Sequence, residues 1–159
     1  MALDTASLSR YRLDRAKEDL TAAISNHKEG LFKASINRSY YAIFHCIRAV
    51  NITKGFDSSK HAQVIAYFNR YFVHTGEFAR NTYKLIDKAY RIRERCDYQD
   101  FFLASREDSE AQIECAKEFI RVSEEYLNKK LEIQTGSSSG TEMTDAKSGQ
   151  KQDTTESNS

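Results

Sequence analysis

The sequence predicts an all-α protein: an antiparallel bundle of about five helices, followed by a disordered C-terminal tail. Three observations carry this expectation. Proline is absent from all 159 residues. Apolar residues recur at helical spacing through most of the first 135 positions, and no segment sustains the alternation of a strand. The three glycines of that body, Gly30, Gly55 and Gly76, each stand where a helical pattern stops. Glycine takes the left-handed conformation that commonly closes a helix.

The first helix is expected from about Leu8 to Glu29, with Leu13, Ala16, Leu20, Ala23 and Ile24 as its apolar stripe. The second, from about Leu31 to Thr53, is the most apolar, with Ile36, Tyr40, Ile43, Ile47 and Val50 at helical spacing. The third begins near Ser58 with Asp57 as its cap, and carries His61, Val64, Ile65, Phe68 and Phe72. The fourth runs from about Glu77 to Cys96 with Phe78, Leu85, Ile86, Ala89 and Ile92 inward. The aromatic stretch from Asp97 to Phe102 interrupts the pattern, and Tyr98, Phe101 and Phe102 there suit a partner patch. Ser105, with Asp108 three residues on, has capping-box spacing and opens a last helix to about Ile133.

The last 24 residues, 136–159, are a different material. Thirteen are Gly, Ser or Thr, and Met143 and Ala146 are the only apolar side chains. Such a segment buries too little apolar surface to offset its ordering entropy, so disorder is expected. The division is therefore a helical domain at 1–135 and a polar tail at 136–159. The domain carries 22 Lys and Arg against 19 Asp and Glu, a formal charge of +3. That balance does not by itself argue for nucleic acid. No apolar run reaches the ~18 residues a membrane span needs, and the N-terminus lacks the regions of a signal peptide. Cys46, Cys96 and Cys115 are far apart and odd in number. They form no metal-ligand spacing and read as reduced, partly buried thiols of a cytoplasmic protein. No metal and no cofactor is expected. His27 and His74 lie near helix ends, where terminal carbonyls are their expected partners.

The second helix carries the functional signal. Arg38, Tyr41, His45 and Arg48 follow at spacings of 3, 4 and 3. At about 100° per residue, seven residues return a side chain to within ~20° of its starting direction. These four therefore form one polar stripe beside the apolar one. Residues of these types on a helix often pair with carboxylates or face water. The functional reading is that the stripe binds and cleaves a phosphodiester. Arginine grips non-bridging oxygens with a planar, permanently charged fork, and histidine moves protons near neutral pH. Arg93 with Asp97 reads either as a pair fixing the end of the fourth helix or as a phosphate contact beside the stripe. The basic run Lys88, Arg91, Arg93, Arg95 reads as a solvated face. Lys60 and His61 open the third helix, where backbone N–H groups favour anions, and His61 reads equally as a core histidine.

The run Asn37-Arg38-Ser39-Tyr40-Tyr41-Ala42-Ile43-Phe44-His45 resembles the R-x-Y-Y-A-x-F-H helix of small HEPN-domain proteins. Ser59-Lys60-His61, then Phe68 and Phe72 before Gly76, then Arg93-Glu94-Arg95-Cys96-Asp97-Tyr98 follow the family's order, with Cys96 replacing an alanine. The resemblance covers about residues 8 to 130. It implies a helical bundle that commonly dimerises, and a metal-independent ribonuclease with an R-x(4–6)-H motif at the dimer interface. Arg38 and His45 match that motif as the catalytic pair. Asn37, Tyr41, Arg48, Lys60, His61 and Arg93 would contact RNA. Ser39 departs from the family's frequent Asn, Asp or His after the arginine. The implied function is a toxin-like endoribonuclease, restrained by a nucleotidyltransferase-fold partner as toxin and antitoxin. The alternative is a non-catalytic helical dimerisation or binding module for such a partner, in which the stripe is the dimer or partner interface and Arg38 and His45 pair with carboxylates; full satisfaction of Arg38 by buried carboxylates would favour it.

Overall fold

The computed structural model describes residues 4–99 and 103–138, with side chains up to Leu131. Its elements are α1 (Thr5–Lys28), α2 (Phe32–Asn51) with a 3-10 turn (Ile52–Lys54), α3 (His61–Phe68) with a π turn (Asn69–Val73), α4 (Asn81–Tyr98) and α5 (Arg106–Ser138). No strand occurs among the described residues, as the sequence predicts. No described helix is long and apolar enough to cross a membrane.

The helix α2 is the axis of the bundle, with α1 and α5 packed along it and α3 and α4 against its remaining side. Its apolar stripe explains this position. Ile36, Tyr40, Ile43, Ile47 and Val50 are all buried, together with Phe68, Phe72, Phe119 and Leu127 from the other elements. Each such side chain contributes about 1.5–3 kcal/mol on leaving water. Two buried polar side chains are bonded across the same contacts. Ser35 Oγ donates to the carbonyl of Ala23 at 2.7 Å, and Asn51 Nδ2 to that of Val64 at 3.0 Å. All three cysteines are free thiols; burial pushes Cys46 up to about 12 and Cys115 up to about 11.

Gly30, Gly55 and Gly76 have φ of 78°, 81° and 84°, so each closes a helix or turn as expected. Ser105 Oγ accepts from Asp108 N at 3.0 Å, and α5 starts there. Other boundaries differ from expectation. Asp57 does not cap α3, which begins at His61. The Asp57 carboxylate is drawn to Arg12 and Arg48, while Ser58 Oγ accepts from Lys60 N at 3.1 Å. The start of α4 is at Asn81 rather than Glu77, because Phe78 N is bonded to the carbonyl of Phe72 at 2.8 Å. Phe78 is nonetheless buried. The π turn before it brings Phe72 and Val73 both inward. Asp97 and Tyr98 continue α4 instead of interrupting it, and Tyr98 is exposed. Phe101, Phe102 and residues 139–159 lie outside the described residues, and with them most of the expected tail; α5 runs through the expected boundary to Ser138.

His27 does not meet a terminal carbonyl. Its Nδ1 lies 2.8 Å from Ser109 Oγ on α5, which ties the end of α1 to the start of α5. His74 is exposed in the turn after the π segment, and no hydrogen bond joins its ring to a carbonyl among the described residues.

Candidate functional site

From Ser35 to Asn51 every residue of α2 is buried except Asn37, Arg38, Tyr41, His45 and Arg48. Beyond its first turn, the stripe read from the spacing, with Asn37, is therefore the part of this helix that reaches the surface. It lies alongside α1, whose inward face contains two charged residues among small ones: Arg12, Ala16, Asp19 and Ala23 are all buried. A buried charge is costly unless paired; Asp19 finds its partner at the stripe, and Arg12 finds Asp57 in the loop before α3.

Asp19 is the first partner. Its Oδ1 accepts from Arg38 Nη1 at 3.1 Å, and its Oδ2 lies 3.5 Å from His45 Nε2. One carboxylate thus bridges the two motif residues. The Asp19 side chain is 8% exposed, His45 19% and Arg38 53%. Arg38 is consequently not satisfied by buried carboxylates: a single N–H is taken by Asp19, and more than half of the side chain faces solvent. Burial holds the His45 pKa below its ordinary value; Asp19 opposes this, and Arg48, Arg15 and Arg12 add to it. The ring is neutral at pH 7 and free to accept a proton.

Arg12 and Arg48 share a second carboxylate. Arg12 Nη2 reaches Asp57 Oδ2 at 2.6 Å, and Arg48 Nη2 reaches Asp57 Oδ1 at 3.0 Å. Burial pulls Asp57 upward, but the two guanidinium bonds outweigh it and its pKa lies below the usual carboxylate range.

On the other side of His45, rings form a connected group. Tyr41 lies 6.4 Å from His45 and 6.1 Å from His61, centroid to centroid. His61 stacks on Phe44 at 4.0 Å, and its Nδ1 lies 3.1 Å from the Tyr40 hydroxyl. Burial pushes Tyr40 up to about 12, so its hydroxyl stays protonated, and burial with nearby arginines holds the His61 pKa below its ordinary value. Arg93 comes in from α4. Its guanidinium lies over Tyr40 at 4.6 Å and Tyr41 at 5.3 Å, Nη2 is 3.4 Å from the Tyr41 hydroxyl, and Nε is 3.4 Å from Asp97. Arg93 pairs with Asp97, as the first reading has it, and it also stands beside the stripe.

Of the eight residues singled out in the sequence, contacts connect Arg38 with His45, and Tyr41 with His45, His61 and Arg93. Arg48 is joined through Asp57 to Arg12. Asn37 is half-buried on the same face. Lys60 is exposed at the start of α3, with no contact joining it to the cluster among the described residues. Asp19, Arg12 and the Asp57 pairing were not singled out. Their signal was present: Arg12 and Asp19 occupy positions in register with Ala16 and Ala23, where a helix buries its side chains. Among the described residues no group of three or more His, Cys, Asp or Glu side chains is arranged to hold a metal ion.

The HEPN domain family matches residues 9–126, about three quarters of the chain. The protein belongs to the HEPN family. Its relatives include a UPF0332 protein of Thermotoga maritima, 33% identical over 118 residues, covering 74% of this chain and 84% of the other. Two proteins of Methanocaldococcus jannaschii, each named "Putative toxin", are also similar. One is 37% identical over 86 residues, covering 54% of this HEPN chain and 64% of its own length. The other is 25% identical over 115 residues, covering 72% and 78%. The matched region of the HEPN family includes α1 from Ser9, all of α2 and α5 to Tyr126, and so contains Arg12, Asp19, Arg38, His45 and Arg93.

Proposed function

We propose that this chain is a toxin-like, metal-independent endoribonuclease in which Arg38 and His45 act on one phosphodiester of single-stranded RNA. The observation that carries the reading is their common anchoring on Asp19 with Arg38 left more than half exposed. Arg38 is hydrogen-bonded to one oxygen of this carboxylate, and His45 stands 3.5 Å from the other. A phosphate that meets the free N–H groups of Arg38 therefore lies next to His45.

The chemistry follows from the residue types. Neutral His45 takes the proton of a ribose 2′-hydroxyl, and the 2′-oxygen attacks the adjacent phosphorus. Arg38 binds the non-bridging oxygens, where negative charge builds in the transition state. The bond to the 5′-oxygen breaks, leaving a 2′,3′-cyclic phosphate and a 5′-hydroxyl. Arg48, Arg93, Tyr41, His61, Asn37 and Lys60 offer contacts to flanking phosphates and bases. The proposed active form is a homodimer, and the proposed restraint is a nucleotidyltransferase-like partner protein. The toxin wording in the names of the M. jannaschii relatives supports this assignment.

The test uses single-stranded RNA in the presence of a chelator. The expected products carry cyclic phosphate and 5′-hydroxyl ends, and a 2′-deoxy sugar at the cut nucleotide blocks cleavage there. Products with 5′-phosphates, or cuts that persist at the deoxy sugar, overturn the mechanism.

A further inference from the structure

We propose that Asp19 is the positioning residue of the Arg38–His45 pair: one carboxylate oxygen fixes the guanidinium, and the other selects the Nε2–H form of His45, leaving Nδ1 as the base. The catalytic part of this statement rests on the ribonuclease reading, whereas the tautomer and its cause do not.

The two oxygens of Asp19 are in different situations. Oδ1 accepts a hydrogen bond from Arg38. Oδ2 is buried and makes no hydrogen bond, and His45 Nε2 stands 3.5 Å away from it. A buried carboxylate oxygen without a donor is costly. An imidazole nitrogen bearing a lone pair would add repulsion, whereas an N–H pointing at the oxygen removes the cost. The contact thus selects the tautomer protonated at Nε2. In a neutral imidazole the other nitrogen is then the acceptor. No hydrogen bond occupies His45 Nδ1 among the described residues, so that acceptor remains available to a substrate hydroxyl.

The same geometry gives Asp19 a part in the proton transfer. The charged groups facing His45 are Asp19, Arg12 and Arg15 from α1 and Arg48 from α2. Three are cations that disfavour an imidazolium, and Asp19 alone favours it. When His45 gains a proton, the 3.5 Å contact becomes an imidazolium–carboxylate pair. Such pairs close to about 2.7–2.9 Å. Asp19 therefore holds the tautomer at rest and stabilises the ring once charged, the division of labour that a buried carboxylate provides to a catalytic histidine.

Competition with substrate for Arg38 is not a feature of this arrangement. Asp19 engages Nη1 alone, and a guanidinium has five N–H donors. A purely structural ion pair would need one cation. Here one carboxylate spans both residues of the motif, which lie two turns apart on α2.

The test is nitrogen-15 NMR of the full chain, together with cleavage kinetics. In wild type, His45 is expected as the Nε2–H tautomer above its pKa. Asp19→Asn is isosteric. Its carbonyl is expected to keep the Arg38 bond and turn its NH2 toward Nε2, so His45 switches to Nδ1–H and its pKa falls further. RNA cleavage by this variant should slow roughly 10- to 100-fold in kcat with KM little changed. An Nδ1–H ring in wild type overturns the assignment and does not depend on any variant folding. A folded Asp19→Asn with the His45 tautomer and pKa unchanged overturns it as well. Wild type that shows the Nε2–H ring and the Asp19 dependence but cuts no RNA overturns the ribonuclease reading and supports the Asp19 geometry.

Discussion

Arg38, His45 and Asp19 differ most in what each contributes to stability. The Arg38 side chain is half exposed and bonded once. Arg38→Ala leaves the buried Asp19 carboxylate without its hydrogen-bond donor and should cost about 1–3 kcal/mol, while RNA cleavage by the still-folded variant collapses; urea denaturation and rate measurements on one preparation check both. The histidines bring a pH dependence. His45 and His61 both hold pKa values below 6.5 when folded, each chiefly through burial. As pH falls through about 6.5 the unfolded chain binds protons that the folded chain does not. The stability present with neutral rings is therefore lost on acidification from about pH 6.5 downward. The urea midpoint should fall between pH 7.5 and pH 5.5, and replacing both histidines with glutamine should shrink that fall. Asp57 acts in a lower window. Its pKa is depressed below 3.8, so its contribution is retained above that value and lost only as pH falls further, through the folded-state pKa.

At the scale of elements, α2 was legible and its surroundings less so. A buried axis helix tolerates few polar side chains, so Arg38, Tyr41, His45 and Arg48 at spacings of 3, 4 and 3 stood out against Ile36, Ile43 and Ile47. The partner helix gave a weaker signal. The outer face of α1 is rich in charges, and Asp19 is one acidic residue among several. What distinguishes it is its neighbour across an antiparallel contact, which spacing along one helix does not report. The start of α3 was misplaced for the same reason. Asp57 before Ser58 is good local capping chemistry, but its carboxylate accepts only from the adjacent Ser58 N–H and is otherwise taken by two arginines from α1 and α2, while α3 starts later at His61. That makes the loop a structural tie between helices. Asp57→Ala leaves the mostly buried Arg12 without its partner and should cost about 1–3 kcal/mol, the penalty of a stranded buried polar group. Gly76, at φ 84°, closes the π turn; Gly76→Ala should cost about 1–2 kcal/mol because the added Cβ meets the following carbonyl in a left-handed residue. Equilibrium unfolding measures both.

For the whole molecule, the bundle presents a single helix face as a charged, partly exposed surface. Packing α1 and α5 against α2 buries its apolar side and presses Asp19 against the stripe, and α4 delivers Arg93 over Tyr40 and Tyr41. The surface has arginines from three helices and two buried or half-buried carboxylates. A phosphate-binding face of this kind should lose RNA affinity steeply with added salt, and a titration between low and physiological salt reads that slope. The central claim is that Arg38 and His45 are the reacting pair of this face. The most direct measurement is the rate of single-stranded RNA cleavage, with chelator, by wild type, Arg38→Ala and His45→Ala of matched thermal stability. Both variants should fall by about 10²–10⁴-fold. Three indistinguishable rates would contradict it.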